Sequence, residues 1–209
     1  MKLNLIILCG GKSSRFGEPK GLQPWNEQRS WLFEQVMRAL AFADRVTVVT
    51  GMHHPYYLDH MMQWPFDIRS QCDIVENQAH ESGMFSSIQR GLQRPENNIG
   101  VWLSPVDTPL PVLTNDVHAL QCHDRTKIGI PTHGSRRGHP VFIPDWFARK
   151  LWKLDPRHPD SRLDLQMAQV NEQYVRMIEL QGDEQLHNLN TVEAMAAYHQ
   201  AVSSRTTQL

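Results

Sequence analysis

Short apolar runs alternate with segments of helical periodicity along most of the chain. Several of the runs are continuously apolar, which is typical of strands that are covered on both faces. The predicted strands lie at residues 3–8, 45–50, 73–76, 99–103, 127–131, 140–143 and 175–180. A first helix is predicted between the first two strands, where one stripe holds Leu32, Val36, Leu40 and Ala43. Further helices are predicted at residues 56–63, 86–93, 113–122, 145–154, 161–171 and 192–201.

This alternation of strand and helix predicts an α/β fold with a mostly parallel sheet and right-handed crossovers. We expect residues 1–202 to form a single domain, followed by a polar, frayed tail at residues 203–209. The charge of the chain is nearly balanced, with 21 Lys and Arg against 22 Asp and Glu. A large basic face for nucleic acid is therefore not expected, and a nucleotide has to bind at a local site.

Neither a membrane segment nor a secretory signal is expected. No apolar stretch is long enough to span a membrane, and the first predicted strand begins at residue 3, which leaves no room for a signal peptide. The three cysteines are scattered and include no Cys-x-x-Cys pair, so neither a disulfide framework nor a zinc site is expected. These features favour a cytoplasmic protein.

Glycines and cationic residues are concentrated directly after the first predicted strand, between residues 8 and 20. The segment reads Leu-Cys-Gly-Gly-Lys-Ser-Ser-Arg-Phe-Gly-Glu-Pro-Lys. Glycine lets the backbone approach a ligand closely, and Lys12, Arg15 and Lys20 add three positive charges. Open α/β sheets bind phosphates at the carboxyl end of a first strand, so we predict a phosphate-binding loop here. Its spacing fits neither a P-loop nor a dinucleotide fingerprint.

Asp107 follows the predicted strand 99–103, within Ser-Pro-Val-Asp-Thr-Pro. The flanking prolines restrict the backbone and thereby the direction of the carboxylate. The residue is expected at the same sheet edge as the glycine-rich loop, where a carboxylate can hold Mg²⁺ beside phosphate oxygens. A turn or helix-capping Asp is the alternative, with Thr108 as a second candidate cap.

Two further segments combine glycine with polar side chains. Residues 81–92 are typical of a loop that opens a helix, where Ser86 or Ser87 caps the helix or the first N–H groups contact a nucleotide. Residues 134–141, Gly-Ser-Arg-Arg-Gly-His-Pro-Val, can bind an anionic partner through charge-assisted hydrogen bonds. The alternative for the second segment is a basic hairpin with its histidine packed beneath it.

Together these segments resemble the MobA/MocA-like nucleotidyltransferases. The signature Leu-Ala-(Ala/Gly)-Gly-x-x-x-Arg-(Phe/Met)-Gly-x-x-Lys is matched except at Cys9, where Ala is usual. The Pro-x-Asp-x-Pro motif, the Gly-Met-x-x-Ser segment and the Gly-His-Pro-(Val/Ile) signature are matched at residues 105–109, 83–87 and 138–141. Residues 187–193 are similar to Asp-Ile-(Asp/Asn)-Thr-Pro-Glu-Asp, with Asn190 at the matching position.

The resemblance implies a role for individual residues. The implied catalytic residues are Arg15, Lys20 and Asp107. The implied nucleotide-binding residues are Leu8, Cys9, Gly10, Gly11, Lys12, Ser13, Ser14, Lys20, Gly83 and Ser87. The implied acceptor-binding residues are Arg137, Gly138 and His139, and the implied ligands of Mg²⁺ are Asp107 and Asn190.

The resemblance also implies a fold and an activity. The fold is a three-layer, Rossmann-like α/β domain of the nucleotide-diphospho-sugar-transferase type, with helices on both faces of the sheet. The activity is Mg²⁺-dependent transfer of a nucleoside monophosphate from an NTP to a molybdopterin-type acceptor, with release of pyrophosphate. A molybdoenzyme or its chaperone is then the expected protein partner.

The implied base is not the same for all motifs. Residues 9–11 have the guanine-type pattern, which favours GTP, whereas residues 83–87 and 138–141 have the cytosine-type pattern, which favours CTP. Two segments against one favour CTP. A sugar-phosphate or methylerythritol-phosphate nucleotidyltransferase is an alternative. A non-catalytic protein that binds nucleotide or molybdopterin is another, because Asn188 and Ala194 replace carboxylates of the family motif.

Overall fold

The computed structural model describes residues 3–11, 18–93 and 99–206. Within them, eight strands form one sheet. The strands are β1 (Asn4–Cys9), β2 (Arg45–Thr50), β3 (Cys72–Glu76), β4 (Gly100–Pro105), β5 (Ile128–His133), β6 (Arg136–Arg137), β7 (Val141–Pro144) and β8 (Val175–Glu179). The helices are α1 (Trp31–Ala39), α2 (His54–Met62), α3 (Phe66–Arg69), α4 (Met84–Leu92), α5 (Thr114–Gln121), α6 (Asp145–Trp152), α7 (Leu163–Ala168) and α8 (Val192–Thr206).

The sheet is mostly parallel. Its order is β3-β2-β1-β4-β7-β5, and both β6 and β8 pair with β5. Strands β1 to β4 run parallel to one another, and β7 is antiparallel to both of its neighbours, β4 and β5. The carboxyl ends of β1, β2, β3 and β4 therefore meet at one edge of the sheet, as the alternation of strands and helices predicted.

Two apolar cores lie on opposite faces of the sheet, which makes the fold three-layered. Successive side chains of β1 alternate between the cores, with Leu5 and Ile7 in one and Ile6 in the other. Helices α1, α2 and α8 contribute to the first core, and helices α4 and α6 to the second. The strand is continuously apolar because helices cover both of its faces, and the predicted α/β class is confirmed.

The ends of several elements differ from the sequence-based expectation. Helix α4 begins at Met84 rather than at residue 86, and α7 ends at Ala168 rather than at residue 171. The short elements α3 and β6 were not predicted, since four and two residues are too few to establish a period. Helix α8 continues to Thr206, beyond residue 202, where the domain was predicted to end. The division of the chain into one domain and a tail stays a prediction.

No helix in the described ranges is long and apolar enough to cross a membrane.

Gly100, the first residue of β4, has a backbone conformation that only glycine tolerates well. Its φ is +115°, and a Cβ added there would lie 2.4 Å from the carbonyl oxygen of Ile143 and 2.8 Å from Cα of Pro144. Both atoms belong to the backbone of the paired strand β7, so neither can move without opening the pair. We expect Gly100→Ala to lower the free energy of unfolding by about 3 kcal/mol or more, measured by urea denaturation.

Gly134→Ala is the matched control, because Gly134 also has a positive φ, +59°, but an added Cβ would meet nothing within 4 Å. This variant should lose only the conformational term of about 1–2 kcal/mol. Equal losses in the two variants would show that the contact with β7 costs nothing.

Candidate active site

Three predicted site residues that are distant in the sequence meet at the carboxyl edge of the sheet. The ammonium Nζ of Lys20 donates to Oδ2 of Asp107 at 3.0 Å and to Oδ1 of Asn190 at 2.8 Å. The side chains of Lys20 and Asp107 are 13% and 22% exposed, so solvent screens their ion pair only in part. The structure thus places one cation between the two residues that were predicted to hold Mg²⁺.

The position of Asp107 is set by hydrogen bonds to the main chain of Val106 and of Asp107 itself. The N–H of Val106 donates to the carbonyl of Leu8 at 3.1 Å, and the indole Nε1 of Trp31 donates to the Val106 carbonyl at 2.6 Å. The N–H of Leu189 donates to the carbonyl of Asp107 at 2.8 Å. This last bond joins the turn after β4 to the segment before α8, and it brings Asn190 beside Asp107.

Lys20 begins a short 3₁₀ turn, Lys20–Leu22, that lies outside the sheet. The N–H of Leu22 donates to the carbonyl of Pro19 at 2.9 Å, and the N–H of Gly21 donates to the hydroxyl of Tyr57 on α2 at 3.1 Å. The turn is therefore held by its own backbone and by one buried side chain of the helix that follows β2.

Gly10 and Ser87 lie against each other where β1 ends and α4 begins. A Cβ added to Gly10 would lie 2.7 Å from Oγ of Ser87. The two segments therefore approach so closely that an alanine at position 10 would require the Ser87 side chain to move. Nδ2 of Asn77 donates to Oγ of Ser86 at 2.8 Å and to Oγ of Ser87 at 3.0 Å. Gly83 is the N-cap residue of α4 with φ +90°, a role that the sequence had assigned to Ser86 or Ser87.

A cavity of about 1170 Å³ opens beside Asp107, between the sheet edge, the start of α4 and the α7 region. Its wall is largely apolar and includes Phe85, Ile88 and Met167. The cavity is large enough for a small-molecule ligand. The predicted site residues that line it are Leu8, Gly83, Asp107, Arg137, Gly138 and His139.

Arg137 and His139 differ in the charge they bring to the cavity. Burial lowers the pKa of His139 below its usual range, although the carbonyl of Leu103 and the charge of Asp107 oppose that shift. The imidazole is therefore neutral at neutral pH, and its buried Nδ1 has no hydrogen-bond partner among the described residues. Arg137 supplies a permanent positive charge, whereas His139 lines the cavity without charge.

The side-chain oxygens around the Lys20 ammonium are suited to binding a hard divalent cation. The carboxylate of Asp107 and the amide oxygen of Asn190 already point at one positive charge, and Mg²⁺ prefers oxygen ligands of these kinds. The described residues contain no group of three or more His, Cys, Asp or Glu that could enclose a metal. A cation here would take its remaining ligands from water and from a bound phosphate.

The other predicted residues have different surroundings. Lys12, Ser13, Ser14 and Arg15 lie outside the described residues. Cys9 is 3% exposed, and its side chain lies in the first core, the one to which α1, α2 and α8 contribute. A ligand can therefore reach only the main chain of Cys9. The assignments of all these residues to nucleotide or acceptor stay predictions.

Sequence reasoning missed residues of the cavity that come from the segment between α6 and α7. His158 and Arg162 line the cavity beside the predicted acceptor residues. Arg162 also pairs with Asp164, with 2.7 Å between Nη2 and Oδ2. The two prolines and the basic side chains of residues 155–162 are the signal that could have marked a loop at a binding site. Instead, Arg162 was counted in the helix predicted from residue 161.

Comparison with known sequences finds a matching family model and several relatives. The model of the MobA-like NTP transferase domain matches residues 5–170. The molybdenum cofactor cytidylyltransferase of Escherichia coli (strain K12) is 28% identical over 142 residues, which cover 68% of this chain and 69% of the relative. A probable molybdenum cofactor guanylyltransferase of Bacillus cereus (strain Q1) is 30% identical over 109 residues, which cover 50% of this chain and 48% of the relative.

Solved structures share the fold at low sequence identity. The protein Rv0371c of Mycobacterium tuberculosis H37Rv is 19% identical with a TM-score of 0.74, covering 96% of this chain and 99% of that one. A nucleotidyl transferase from Methanothermobacter is 17% identical with a TM-score of 0.73, covering 96% of this chain and 97% of that one. A manganese complex of Rv0371c is 17% identical with a TM-score of 0.66, covering 96% and 99%.

The lowered pKa of His139 predicts a pH dependence of stability. The unfolded chain binds a proton at a pKa of about 6.5, whereas the folded chain resists protonation, so stability is lost as the pH falls below that value. We expect His139→Gln to flatten this loss by at most about 1.4 kcal/mol per pH unit. Urea denaturation at pH values between 7.5 and about 5 measures the slope.

His60 and His123, whose pKa values burial also lowers, remain in both proteins and cancel in the comparison. An unchanged slope in His139→Gln would mean that the folded protein protonates His139 as readily as the unfolded chain does.

Proposed function

The chain belongs to the MobA-like NTP transferase domain family, and from that premise we propose that it transfers a nucleoside monophosphate from an NTP to the phosphate of a molybdopterin-type acceptor. An oxygen of the acceptor phosphate attacks the α-phosphorus of the NTP. The bond from the α-phosphorus to the oxygen that bridges it to the β-phosphate then breaks, and pyrophosphate leaves with the electron pair.

The observation that carries this proposal is the cluster of Lys20, Asp107 and Asn190 beside a cavity large enough for a small-molecule substrate. Transfer of a phosphoryl or nucleotidyl group depends mainly on positioning and on charge stabilisation rather than on a strong base. Lys20 supplies positive charge for the triphosphate, and Asp107 and Asn190 supply oxygen ligands. A neutral His139 suits such a reaction, since it borders the cavity without adding charge or taking a proton.

We propose Mg²⁺ as the cation, which Asp107 and Asn190 would hold. When bound, the ion neutralises the triphosphate and polarises the α-phosphate. The ammonium of Lys20 and a divalent cation beside the same oxygens repel each other, so Lys20 would exchange its ion pair for phosphate oxygens when the nucleotide enters. The manganese complex of Rv0371c supports a divalent cation in this fold.

We propose CTP rather than GTP as the donor. Residues 83–87 and 138–141 follow the cytosine-type pattern, and the relative with the longer match is a cytidylyltransferase. Gly10 belongs to the guanine-type pattern, but a glycine at this position also has a packing reason and therefore does not require GTP. An alanine at that position would require Ser87, which Asn77 holds by a hydrogen bond, to shift.

The cavity supports an acceptor that combines a ring system with an anionic group. Phe85, Ile88 and Met167 provide apolar surface for a flat heterocycle, and Arg137 provides a permanent charge for its phosphate. A molybdopterin-type compound has both features. A molybdoenzyme or its chaperone, as the recipient of the product, stays a prediction.

Asp107→Ala should abolish pyrophosphate release from Mg²⁺-NTP and a molybdopterin-type acceptor. Lys20→Ala should lower kcat about 100-fold or more, because a charge that stabilises the transition state is removed. The melting temperature of Lys20→Ala should fall by no more than about 4 °C, since a partly exposed ion pair contributes little stability. A coupled pyrophosphate assay and thermal denaturation measure these effects.

Asp145→Ala is the matched control, since its side chain is 23% exposed and its carboxylate forms an ion pair with Arg149, with 2.8 Å between Oδ2 and Nε. Neither residue lines the cavity. It should keep full activity. Absence of pyrophosphate release from wild-type protein with every NTP and acceptor tried would contradict catalysis and favour a non-catalytic binding protein. A collapse of the Lys20→Ala melting temperature would make Lys20 structural.

A thermal-shift comparison of CTP, GTP, ATP and UTP with Mg²⁺ should identify the base. CTP at about 100 times its Kd is expected to raise the melting temperature by about 5–10 °C, because a ligand that binds the folded state stabilises it by mass action. Asp107→Ala should reduce that shift. A larger shift with GTP than with CTP would overturn the choice of base.

A further inference from the structure

The hydroxyl of Tyr57 is a buried polar group that the reaction described above does not use. Tyr57 lies on α2 and is 1% exposed. Its hydroxyl accepts the N–H of Gly21 at 3.1 Å, and the side chain of Cys9 at the end of β1 lies in the same buried core, close enough to interact with the phenol electrostatically. The hydroxyl therefore connects the helix after the second strand to the turn that carries Lys20, next to the end of the first strand.

The contact between Tyr57 and the turn is close as well as hydrogen-bonded. A Cβ added to Gly21 would lie 2.9 Å from Cε1 and 3.0 Å from the hydroxyl oxygen of Tyr57. The backbone of the turn thus rests directly on the phenol ring. Since Gly21 follows Lys20 in the chain, a displacement of this backbone moves the starting point of the Lys20 side chain.

The Tyr57 phenol and the Cys9 thiol beside it are both uncharged at neutral pH. Burial raises the pKa of the Tyr57 phenol and that of the Cys9 thiol, so both groups keep their protons. Cys9 is also the one departure of this chain from the family signature of the first loop, where Ala is usual. An alanine has no acceptor for the Tyr57 hydroxyl, whereas the sulfur of a cysteine is a weak one.

We propose that Tyr57 is a positioning residue for Lys20 and that Cys9 orients the Tyr57 hydroxyl for this purpose. The phenol fixes the backbone at Gly21, and this places the Lys20 ammonium within 3.0 Å of Asp107 and 2.8 Å of Asn190. The catalytic consequence rests on the proposed function, but the placement of the ammonium does not. Tyr57 itself is not among the residues that line the cavity.

Tyr57→Phe is the test variant, because it keeps the ring and removes the hydroxyl. The neighbouring Tyr56→Phe is the matched control, since Tyr56 lies on the same helix and is 64% exposed. The first measurement is acetylation of Lys20 in the nucleotide-free protein with acetic anhydride, followed by mass spectrometry and normalised to the exposed Lys153. Tyr57→Phe should raise the Lys20 labelling rate about three- to tenfold, because a displaced ammonium leaves its two partners more often. Tyr56→Phe should leave the rate unchanged.

The second measurement is turnover in a double-mutant cycle with Lys20→Ala. Tyr57→Phe should lower kcat about tenfold with little change in KM, since a misplaced charge fails mainly in the transition state. In the Lys20→Ala background the same change should cost less than about twofold. A general loss of structure would lower kcat in both backgrounds and would also lower the melting temperature.

Unchanged Lys20 labelling in Tyr57→Phe, or equal losses of kcat in both backgrounds, would overturn the proposal. If Tyr57→Phe does not fold, Cys9→Ala decides the question, with about a twofold rise in Lys20 labelling expected and an unchanged rate overturning it. If wild-type protein has no transferase activity, the proposed function fails, while the labelling result still decides the placement of Lys20.

Discussion

The backbone around Asp107 is the constraint on which the site depends. Val106 is bonded on one side to the end of β1 and on the other to the indole of Trp31, and the carbonyl of Asp107 holds the N–H of Leu189. These bonds join the first strand, the first helix and the segment before the last helix at one turn. The carboxylate is thereby directed by main-chain geometry rather than by its own flexible side chain.

Side chains of both charges line the site and its cavity. Asp107 is matched by Lys20 in the described structure, and the pair is only partly exposed to solvent. Arg137 adds a permanent positive charge to the cavity, while burial keeps His139 neutral. Such a site can bind phosphates by charge and orient them without proton transfer, which fits the chemistry of the nucleotidyltransferase family.

Small buried groups behind the site limit which substitutions are independent of one another. Gly10 cannot gain a Cβ without moving Ser87. Gly21 hydrogen-bonds to the hydroxyl of Tyr57, and Cys9 lies in the same buried core. Gly10, which the family motif links to base preference, is therefore also a packing position. The effect of replacing it depends on Ser87, which lies far away in the sequence.

The sequence by itself determined the α/β class, the glycine-rich loop after β1 and the placement of Asp107 at the sheet edge, because strand and helix periods and the polarity of strand ends are local properties. The tertiary structure decided that Lys20 and Asn190 meet at Asp107. It also decided that Tyr57 supports the turn of Lys20. The distances between these residues are set by the pairing of β1 with β4 and by helices packing on the sheet, and such long-range contacts leave no local period or spacing in the chain.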